Sequence, residues 1–365
     1  AWALPLGSWS VALDPLGAFF LGLVLVVPTL ASIYGLGYWR EAEHPGSSRR
    51  LGLSYGLLAA SMGLVVLARD SVLFLLAWEI MALSAWFAAT AEGNRPEVRR
   101  AGWIYLVATH VGTLLLFGMF ALLRKASGSF SLSALASLDP SLATPVFILC
   151  LLGFGFKAGF IPLHIWLPGA HANAPSHVSA VMSGVMLKMG IYGIVRITSL
   201  MPRIDAWMGA SLLCLGALTG IAGIGLALGQ KDLKRSLAYS SIENIGIIGM
   251  GMGLALLGRA QGRVDLVLLG LGASLLHVWN HGLFKSLLFM DAGAIIHAAG
   301  TRDIDRMGGL GKRMPLTAAL FVLGAVAIAG LPPLNGFASE WLLYLGLFSS
   351  LGGGIAGTEA AAVGA

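Results

Sequence analysis

The stretch GFGFKAGFIPLHIWLPGAH, residues 153–171, puts a lysine, two prolines and two histidines at the end of a long apolar segment. Pro162 and Pro168 lack the backbone N–H of a regular helix, so the stretch predicts a helix that breaks near its end, a few residues from Lys157. Where a helix breaks inside a membrane, the irregular backbone has to be buried in protein or line a watery cavity. The stretch therefore predicts an interrupted membrane helix with a charge beside the interruption.

The composition also indicates a membrane protein. Of the 365 residues, 57% are hydrophobic and 11% are charged, whereas about 25% of the residues in a soluble domain are charged. An apolar stretch of about 18 residues or more can cross the hydrocarbon layer as a helix. Ten such stretches occur, at 13–38, 51–68, 71–90, 101–123, 145–166, 176–199, 207–229, 237–257, 265–297 and 316–347. The expected fold is all-α, a single polytopic transmembrane helix bundle over residues 1–365.

The net charge of +6 does not indicate nucleic-acid binding, because the basic residues lie in short loops rather than in one patch or tail. Loops on one side of the predicted bundle hold thirteen Lys or Arg, and those on the other side hold seven. By the positive-inside rule the thirteen face the cytoplasm, which places both ends of this chain outside. The predicted location is the inner, or plasma, membrane of the cell.

The two cysteines, Cys150 and Cys214, lie in apolar segments, and the sequence contains no CxxC motif. We therefore expect no iron–sulfur cluster, zinc site, disulfide framework or other cofactor in this chain. The first span has no basic segment before it, so no signal peptide is predicted. Because the sequence starts with Ala1 and ends in small residues, we expect it to be a fragment of a longer chain.

Charged residues fall well inside predicted spans, among them Lys157, Lys188, Lys285, Glu79, Asp291 and Glu340. A charge near the centre of a membrane helix costs about 2.5 to 3.5 kcal/mol even on the most favourable scale. One explanation is structural, with ion pairs joining helices or lysines reaching to the interface. So many ionisable groups in separate spans favour the other explanation, a chain of groups that carry protons.

Three histidines follow the first predicted break, in a segment that has no Lys or Arg and that we expect to be a loop. They are His164, His171 and His177. A cytoplasmic loop with these side chains is a candidate region for proton uptake. The alternative is that they are ordinary interfacial side chains beside Trp166.

The ninth span places His277, His281 and Lys285 at steps of four residues, so they form a ladder on one helix face. The ladder rises about 12 Å. Two histidines four residues apart can also bind a metal, but no HExxH motif is present and a lysine is a poor neighbour for a divalent cation. We expect no metal site there. His110, alone in the fourth span, is expected to be a packing residue.

A second break is predicted in the tenth span, in AIAGLPPLNGFASEW at 327–341, where Pro332 and Pro333 interrupt the helix. Paired interrupted spans indicate an internal repeat, often inverted, in transporter folds. The predicted first five-helix repeat covers 51–200, and an incomplete second repeat covers 207–347.

The sequence resembles the antiporter-like membrane subunits of respiratory complex I, Mrp-type cation/proton antiporters and membrane-bound hydrogenases. The likeness is greatest to the hydrogenase-4 and formate hydrogenlyase members. The matching motifs are WE at 78–79, FGFKAGFIPLHIWLPGAHANAP at 154–175, SAVMSGVMLKMGIYGIVR at 179–196, DLKRSLAYSSIENIG at 232–246, HGLFKSLLF at 281–289, GTRDIDRMGGLGKRMP at 300–315 and GLPPLNGFASEWLL at 330–343. The resemblance implies two inverted five-helix repeats with broken helices, of which this chain holds only part.

The resemblance also implies roles for the charged residues. Glu79 is the partner of Lys157, Lys188 is a central relay group, and Lys285 and Glu340 continue the path in the second half. Asp291 departs from the pattern, since the family is expected to carry a small or apolar residue there, and the resemblance gives it no role. His177 also departs, because close relatives are expected to carry a small polar residue.

The expected function is proton translocation by a subunit of a redox-driven complex. Its expected partners are the lipid bilayer, other membrane subunits and a peripheral redox arm of hydrogenase or dehydrogenase subunits. One alternative is a self-sufficient Mrp-like antiporter that exchanges Na⁺ for protons. Less favoured alternatives are an intramembrane lipid-modifying enzyme with His277 and Asp291 as base and acid, and a purely structural scaffold.

Overall fold

A computed structural model describes residues 2–4 and 7–352, and most of this chain is helical. The helices are α1 Pro15–Tyr38, α2 Ser48–Leu67, α3 Ser71–Ala89, α4 Pro96–Ser127, α5 Ala143–Ala158, α6 Leu167–Asn173, α7 Ser176–Val181, α8 Leu187–Leu200, α9 Ala206–Leu228, α10 Leu233–Gln261, α11 Val264–Ala299, α12 Leu310–Arg313, α13 Pro315–Ile328 and α14 Asn335–Leu351. Two short strands that the sequence did not predict, β1 Trp2–Leu4 and β2 Gly7–Trp9, pair antiparallel ahead of α1, with Trp2 opposite Trp9.

Nine helices within the described residues are long and apolar enough to cross a membrane. One of them, Ser176–Leu200, combines α7, a π-helical turn at Met182–Met186 and α8. The tenth predicted span consists of two shorter helices, α13 and α14, separated by residues 329–334. The multi-pass, all-helical membrane architecture with interrupted helices is therefore confirmed.

Both interruptions begin at a glycine. Gly159 follows α5 with φ +88° and Gly330 follows α13 with φ +62°, backbone angles that residues with a Cβ rarely adopt. A proline with a cis peptide bond, Pro162 or Pro333, stands three residues after each glycine. The prediction for Pro168 needs a correction, because Pro168 lies in the first turn of α6, where its missing N–H is not needed.

The chain divides into two compact units. The first unit comprises Ala1–Gly159 and Leu163–Arg203, and the second comprises Phe160–Pro162 and Ile204–Ala365. The repeats predicted at 51–200 and 207–347 remain a prediction.

In the first unit an ion-pair cluster joins α1 to α8. Asp14 caps the N-terminus of α1 by accepting a hydrogen bond from the Gly17 N–H at 2.7 Å. Its carboxylate also accepts two hydrogen bonds from Arg196 of α8, at 2.6 and 2.8 Å, and lies 3.2 Å from Arg69. The bond from Arg196 is the largest of the effects that hold the pKa of Asp14 at about 2, below its usual 3.8. Asp14 therefore fixes both the start of α1 and its position against α8.

In the second unit α9 and α10 approach each other through glycines. A Cβ on Gly216 would lie 2.5 Å from the backbone nitrogen of Met250, and one on Gly246 would lie 2.3 Å from that of Gly220. A Cβ on Gly223 would lie 2.6 Å from the backbone nitrogen of Glu243. Small residues allow such close helix packing in membranes, where apolar surface alone does not drive helices together.

Candidate functional site

Lys157 lies in the last turn of α5, and its side chain is buried at 2% exposure. Its ammonium donates a hydrogen bond to the hydroxyl of Tyr105 at 3.5 Å. It also lies 5.4 Å from the ring centre of Trp78 and 5.6 Å from that of Tyr105. Attraction between a desolvated cation and an aromatic face contributes about 2 kcal/mol. These contacts offset part of the cost of burying the charge of Lys157.

Glu79, in the middle of α3, meets His110 of α4. Its Oε2 lies 3.3 Å from Nε2 of His110, while its Oε1 is buried without a hydrogen-bond partner. Glu79 is also close enough to Lys157 for an electrostatic interaction. His110 is expected from the sequence to be a satisfied packing residue, and the α3–α4 packing adds a contact between its ring and the Glu79 carboxylate. The sequence separates the two residues by 31 positions and gave no signal of the contact.

The contact made by Nδ1, the second ring nitrogen of His110, determines when His110 and Glu79 can form a hydrogen bond. Nδ1 lies 2.8 Å from the carbonyl oxygen of Leu106, and a carbonyl can only accept, so Nδ1 carries the hydrogen. A neutral His110 then has no hydrogen on Nε2. A hydrogen bond to Glu79 therefore requires one further proton, either on the carboxyl or on the ring. Whether this contact is a hydrogen bond therefore depends on one further proton.

Glu79 is not sealed inside the protein. It lines a largely apolar cavity of about 630 Å³ between α3 and α4. The charged residues that line the same cavity are Arg124 and Lys125, near the end of α4. The side chains of Glu79 and His110 are 25% and 44% exposed. Neither side chain is therefore enclosed within the buried core.

Lys188 is fully buried in the first turn of α8, directly after the π-helical turn. Its ammonium donates a hydrogen bond to the carbonyl of Ser183, inside that turn. In a π-helical turn the regular i to i+4 bonding is interrupted, and such turns occur often at functional sites. The local backbone thus supplies Lys188 with a polar contact inside an otherwise apolar segment.

The sequence predicted that the three histidines after the first break lie on one loop, but they do not share an exposed loop. Residues 167–173 form α6, which buries His171 completely and stacks its ring 6.3 Å from that of Trp166. His177 lies in the first turn of α7, and His164 is half-buried in the segment between α5 and α6. The loop prediction failed because prolines can start helices as well as end them.

His177 is buried among the rings of Tyr38 and Tyr55, with ring centres at 5.9 and 5.8 Å. It nevertheless lines a cavity of about 510 Å³ between α1 and α2, whose charged residues are Arg40 and Glu41. His177 is therefore buried and still borders a cavity that charged side chains also line.

In the second unit α11 carries the predicted ladder of His277, His281 and Lys285, and all three side chains are buried. The two imidazole rings are nearly parallel, with centres 6.3 Å apart. Nδ1 of His277 lies 2.9 Å from the hydroxyl of Ser339, and Nε2 lies 3.0 Å from the amide oxygen of Asn244. The ladder on one face is confirmed as geometry, and His277 joins α11 to both α10 and α14.

Lys285 contacts α10 at two side chains. Its ammonium donates a hydrogen bond to the hydroxyl of Ser240, and it interacts electrostatically with Glu243 one turn further along α10. The sequence analysis overlooked Glu243, although this residue lies inside the predicted span 237–257. Counting every acid inside that span would have found it. Glu243 and Lys285 thus form a second pair of a glutamate and a buried lysine.

Glu340, on α14, lies beside the second interruption. Its carboxylate approaches Gly330 so closely that a Cβ there would lie 2.3 Å from Oε2. Glu340 and Glu243 interact electrostatically and line one cavity of about 250 Å³, together with Tyr344 and apolar side chains of α9, α10 and α13. The glycine of the break is therefore what makes room for the carboxylate.

Uncharged polar side chains link the break to the ladder. Asn280 of α11 donates to the carbonyl of Asn335 at 2.6 Å and to the hydroxyl of Ser339 at 3.0 Å. Ser339 also contacts His277, and Asn244 contacts both His277 and Glu243. Sequence reasoning missed these residues because it looked for charges and histidines inside the spans. They connect Glu243, His277 and the start of α14 in one hydrogen-bonded network.

Asp291 lies two turns before the end of α11 and is 7% exposed. Its Oδ2 is buried without a hydrogen-bond partner. His277 lies fourteen residues earlier in the same helix, which places the two side chains about 21 Å apart along the axis. An acid and a base so far apart do not act on one substrate group, and this argues against the lipid-modifying enzyme. Within residues 9–352 no metal-binding group of three or more His, Cys, Asp or Glu side chains was found.

Comparison with known proteins places these sites in a family. The family described as NADH:quinone oxidoreductase/Mrp antiporter, TM, matches residues 68–356. Hydrogenase-4 component B of Escherichia coli K12 is 41% identical over 93% of this chain and 51% of its own length. Formate hydrogenlyase subunit 3 of the same strain is 38% identical over 95% of this chain and 55% of its own. The chain spans about half the length of these relatives.

Two solved structures share the fold. A chain of the membrane-bound sulfane sulfur reductase, an archaeal respiratory membrane complex, superimposes with a TM-score of 0.84 at 26% identity. That match covers all of this chain and 73% of the other. A chain of the Mrp complex from Dietzia sp. DQ12-45-1b gives a TM-score of 0.84 at 25% identity, over all of this chain and 65% of the other. The chain belongs to the family of antiporter-like membrane subunits of NADH:quinone oxidoreductases, hydrogenases and Mrp antiporters.

Proposed function

We propose that the intact protein moves protons across the membrane through its buried ionisable groups, as a subunit of a redox-driven complex. The observation that carries the proposal is a repeated pairing inside the membrane helices. In each unit a buried lysine lies within electrostatic reach of a glutamate, Lys157 with Glu79 and Lys285 with Glu243. At an effective dielectric constant of about 20, opposite charges about 4 Å apart interact by about 4 kcal/mol. Small changes in these distances therefore decide whether each lysine holds its proton.

In the proposed mechanism Glu79 controls when Lys157 releases its proton. The contact between Glu79 and His110 supports this role, because protonation of the carboxylate would remove the charge that holds the Lys157 ammonium. Lys188 is the next relay group in the first unit, and His171 and His177 lie near the route of uptake together with His164. In the second unit His277, His281, Lys285 and Glu340 carry the proton onward.

The energy for transport would come from redox chemistry in partner subunits of a hydrogenase or dehydrogenase arm. The names of the relatives support this part, since they are a hydrogenase component and a formate hydrogenlyase subunit. The relatives and structural neighbours are parts of multi-subunit complexes, so further membrane subunits are expected beside this one. The proposed location is the inner, or plasma, membrane.

A second candidate function is exchange of Na⁺ for protons without redox partners. The likeness to a chain of an Mrp complex favours it. The two functions differ in their driving force, so they are separable by experiment.

The test uses everted membrane vesicles that contain the intact, full-length protein, with and without its partner subunits. With the partners and an electron donor present, we expect the vesicle interior to become acidic. Glu79→Gln, Lys157→Met and Lys188→Met should each abolish that signal, whereas Lys312→Met, at an exposed residue of α12, should not. Unchanged proton transport in all three variants would overturn the proposal. Collapse of a preformed pH gradient by sodium, without partners and only with Glu79 intact, would favour the antiporter instead.

A further inference from the structure

Three ionisable side chains of the second unit are linked by two electrostatic interactions. Lys285 interacts with Glu243, and Glu243 interacts with Glu340. Glu243 is thus the group that faces both of the others. It lies among small and polar residues in the first half of α10.

The cavity supplies the space that a transfer would need. Glu243 and Glu340 line the same cavity of about 250 Å³, which also contains Tyr344. A water molecule occupies roughly 30 Å³ in the liquid, so several fit. Two carboxylates and a phenol give such waters the polar partners that an apolar cavity would not provide. The cavity therefore fits a water-bridged path between the two carboxyl groups.

Close backbone packing fixes the positions of Glu243 and Glu340, the two ends of this path. Gly223 of α9 lies so close to Glu243 that a Cβ would meet its backbone nitrogen at 2.6 Å, and Gly330 leaves room for the Glu340 carboxylate at the break. Asn244, next to Glu243, contacts His277 at 3.0 Å. The positions of the two glutamates are therefore set by helix packing rather than by flexible loops.

From this geometry we infer that Glu243 carries the proton between Lys285 and Glu340, through water in the cavity that the two glutamates share. This inference rests on the proposed function. In the first step the Lys285 ammonium gives its proton to the Glu243 carboxylate, leaving a neutral amine and a neutral carboxyl group. In the second step Glu243 passes that proton to the Glu340 carboxylate and becomes ionised again.

The net charge of the three groups is one negative charge before, between and after the two steps. Charge balance matters here because a change in buried net charge is costly in a membrane interior. An ionised Glu243 beside Lys285 attracts a proton, so a proton that leaves the lysine meets this carboxylate first. The alternative is that Glu243 only holds Lys285 in place as a permanently ionised partner.

A chemical labelling experiment distinguishes these two roles. An apolar carbodiimide added to membranes reacts with carboxylic acids in their protonated form, and mass spectrometry locates the adducts. A carrier role predicts adducts on both Glu243 and Glu340 in the full-length protein, and none on the exposed Glu43. Because the cavity is small, one adduct should exclude the other from the same molecule. Adducts on Glu340 alone would mean that Glu243 stays ionised, and would overturn the inference.

Transport by the assembled complex gives the second test. Glu243→Gln should lower the rate to about a tenth or less, as expected for loss of a proton-transferring group. Glu243→Asp should restore part of the rate, and Glu43→Gln should leave it unchanged. If Lys285→Met abolishes transport but Glu243→Gln does not, the carrier role of Glu243 fails while the proposed function stands. If neither variant changes transport, the proposed function itself fails in the second unit.

Discussion

Nε2 of His110 lies 3.3 Å from a carboxylate oxygen of Glu79, while its Nδ1 lies 2.8 Å from the Leu106 carbonyl. The carbonyl fixes the hydrogen on Nδ1, so the contact with Glu79 forms a hydrogen bond only when the pair holds one more proton. Glu79 also interacts with Lys157. The state of one histidine is thereby linked to the charge that faces a buried lysine.

The first prediction concerns the coupling of this pair. If His110 and Glu79 share one proton, Glu79→Gln and His110→Phe should each lower proton transport, and the double variant should lower it little further. Such coupled pairs deviate from additivity by about 0.5 to 3 kcal/mol. Vesicle transport rates of the four proteins measure the deviation. Additive losses would show that the two residues act separately. Nitrogen NMR of labelled histidine should also show the hydrogen of His110 on Nδ1.

The second prediction concerns acid stability through Asp14. Its pKa in the folded protein is about 2, lowered first by the hydrogen bond from Arg196, against a usual 3.8. The stabilisation is therefore present above the usual value and is lost as the pH falls from about 4 to about 2. Asp14→Asn keeps the helix cap but removes the charge. Breaking a fully buried pair costs about 3 to 5 kcal/mol. Because the Asp14 side chain is 34% exposed, we expect about 1 to 2 kcal/mol.

Thermal unfolding in detergent at several pH values checks this expectation. At neutral pH, Asp14→Asn should melt at a lower temperature than the original protein, and the difference should shrink toward pH 2. Glu43→Gln, at an exposed loop position, is the matched control. An unchanged melting temperature for Asp14→Asn at neutral pH would contradict the role assigned to the cluster.

The third prediction uses two glycines of α9 that lie two residues apart. A Cβ at Gly223 would lie 2.6 Å from the backbone nitrogen of Glu243, whereas one at Gly225 has no neighbour within 4 Å. Gly223→Ala should lower the free energy of unfolding by about 1 to 3 kcal/mol, because it forces α9 away from α10. Gly225→Ala should raise it slightly, since alanine favours a helix by up to about 1 kcal/mol. Equal effects of the two substitutions on unfolding would disprove the close approach.

The fourth prediction concerns Asp291 and Asn280, two buried polar residues of α11. Asp291 has a carboxylate oxygen without a hydrogen bond, whereas Asn280 donates to Asn335 and Ser339. A buried polar group without a partner costs about 1 to 3 kcal/mol. Asp291→Leu should therefore raise the free energy of unfolding, and Asn280→Leu should lower it. Unfolding measurements in lipid nanodiscs give the sign of the change in the free energy of unfolding for each variant. A loss of stability in Asp291→Leu as large as that in Asn280→Leu would contradict the structural account.

The membrane architecture follows from the residues alone. Long apolar runs predict membrane-spanning helices, and nine of spanning length lie within the described residues, since hydrocarbon leaves the backbone no other way to satisfy its hydrogen bonds. The prolines at 162 and 333 placed the two interruptions correctly, because the loss of a backbone donor is a local effect. The four-residue spacing of His277, His281 and Lys285 fixed their common face, because helix periodicity is also local.

Which charges meet depends on how distant helices pack. His110 and Glu79 are brought together by the packing of α3 on α4, and Glu243 is brought to Lys285 by the packing of α10 on α11. The burial of His171 in α6 was missed because Pro168 starts a helix instead of preventing one. Contacts of this kind depend on which faces of distant helices pack together. The packing of these faces depends on their shape, as at the glycines between α9 and α10. The hydropathy of the sequence does not predict it.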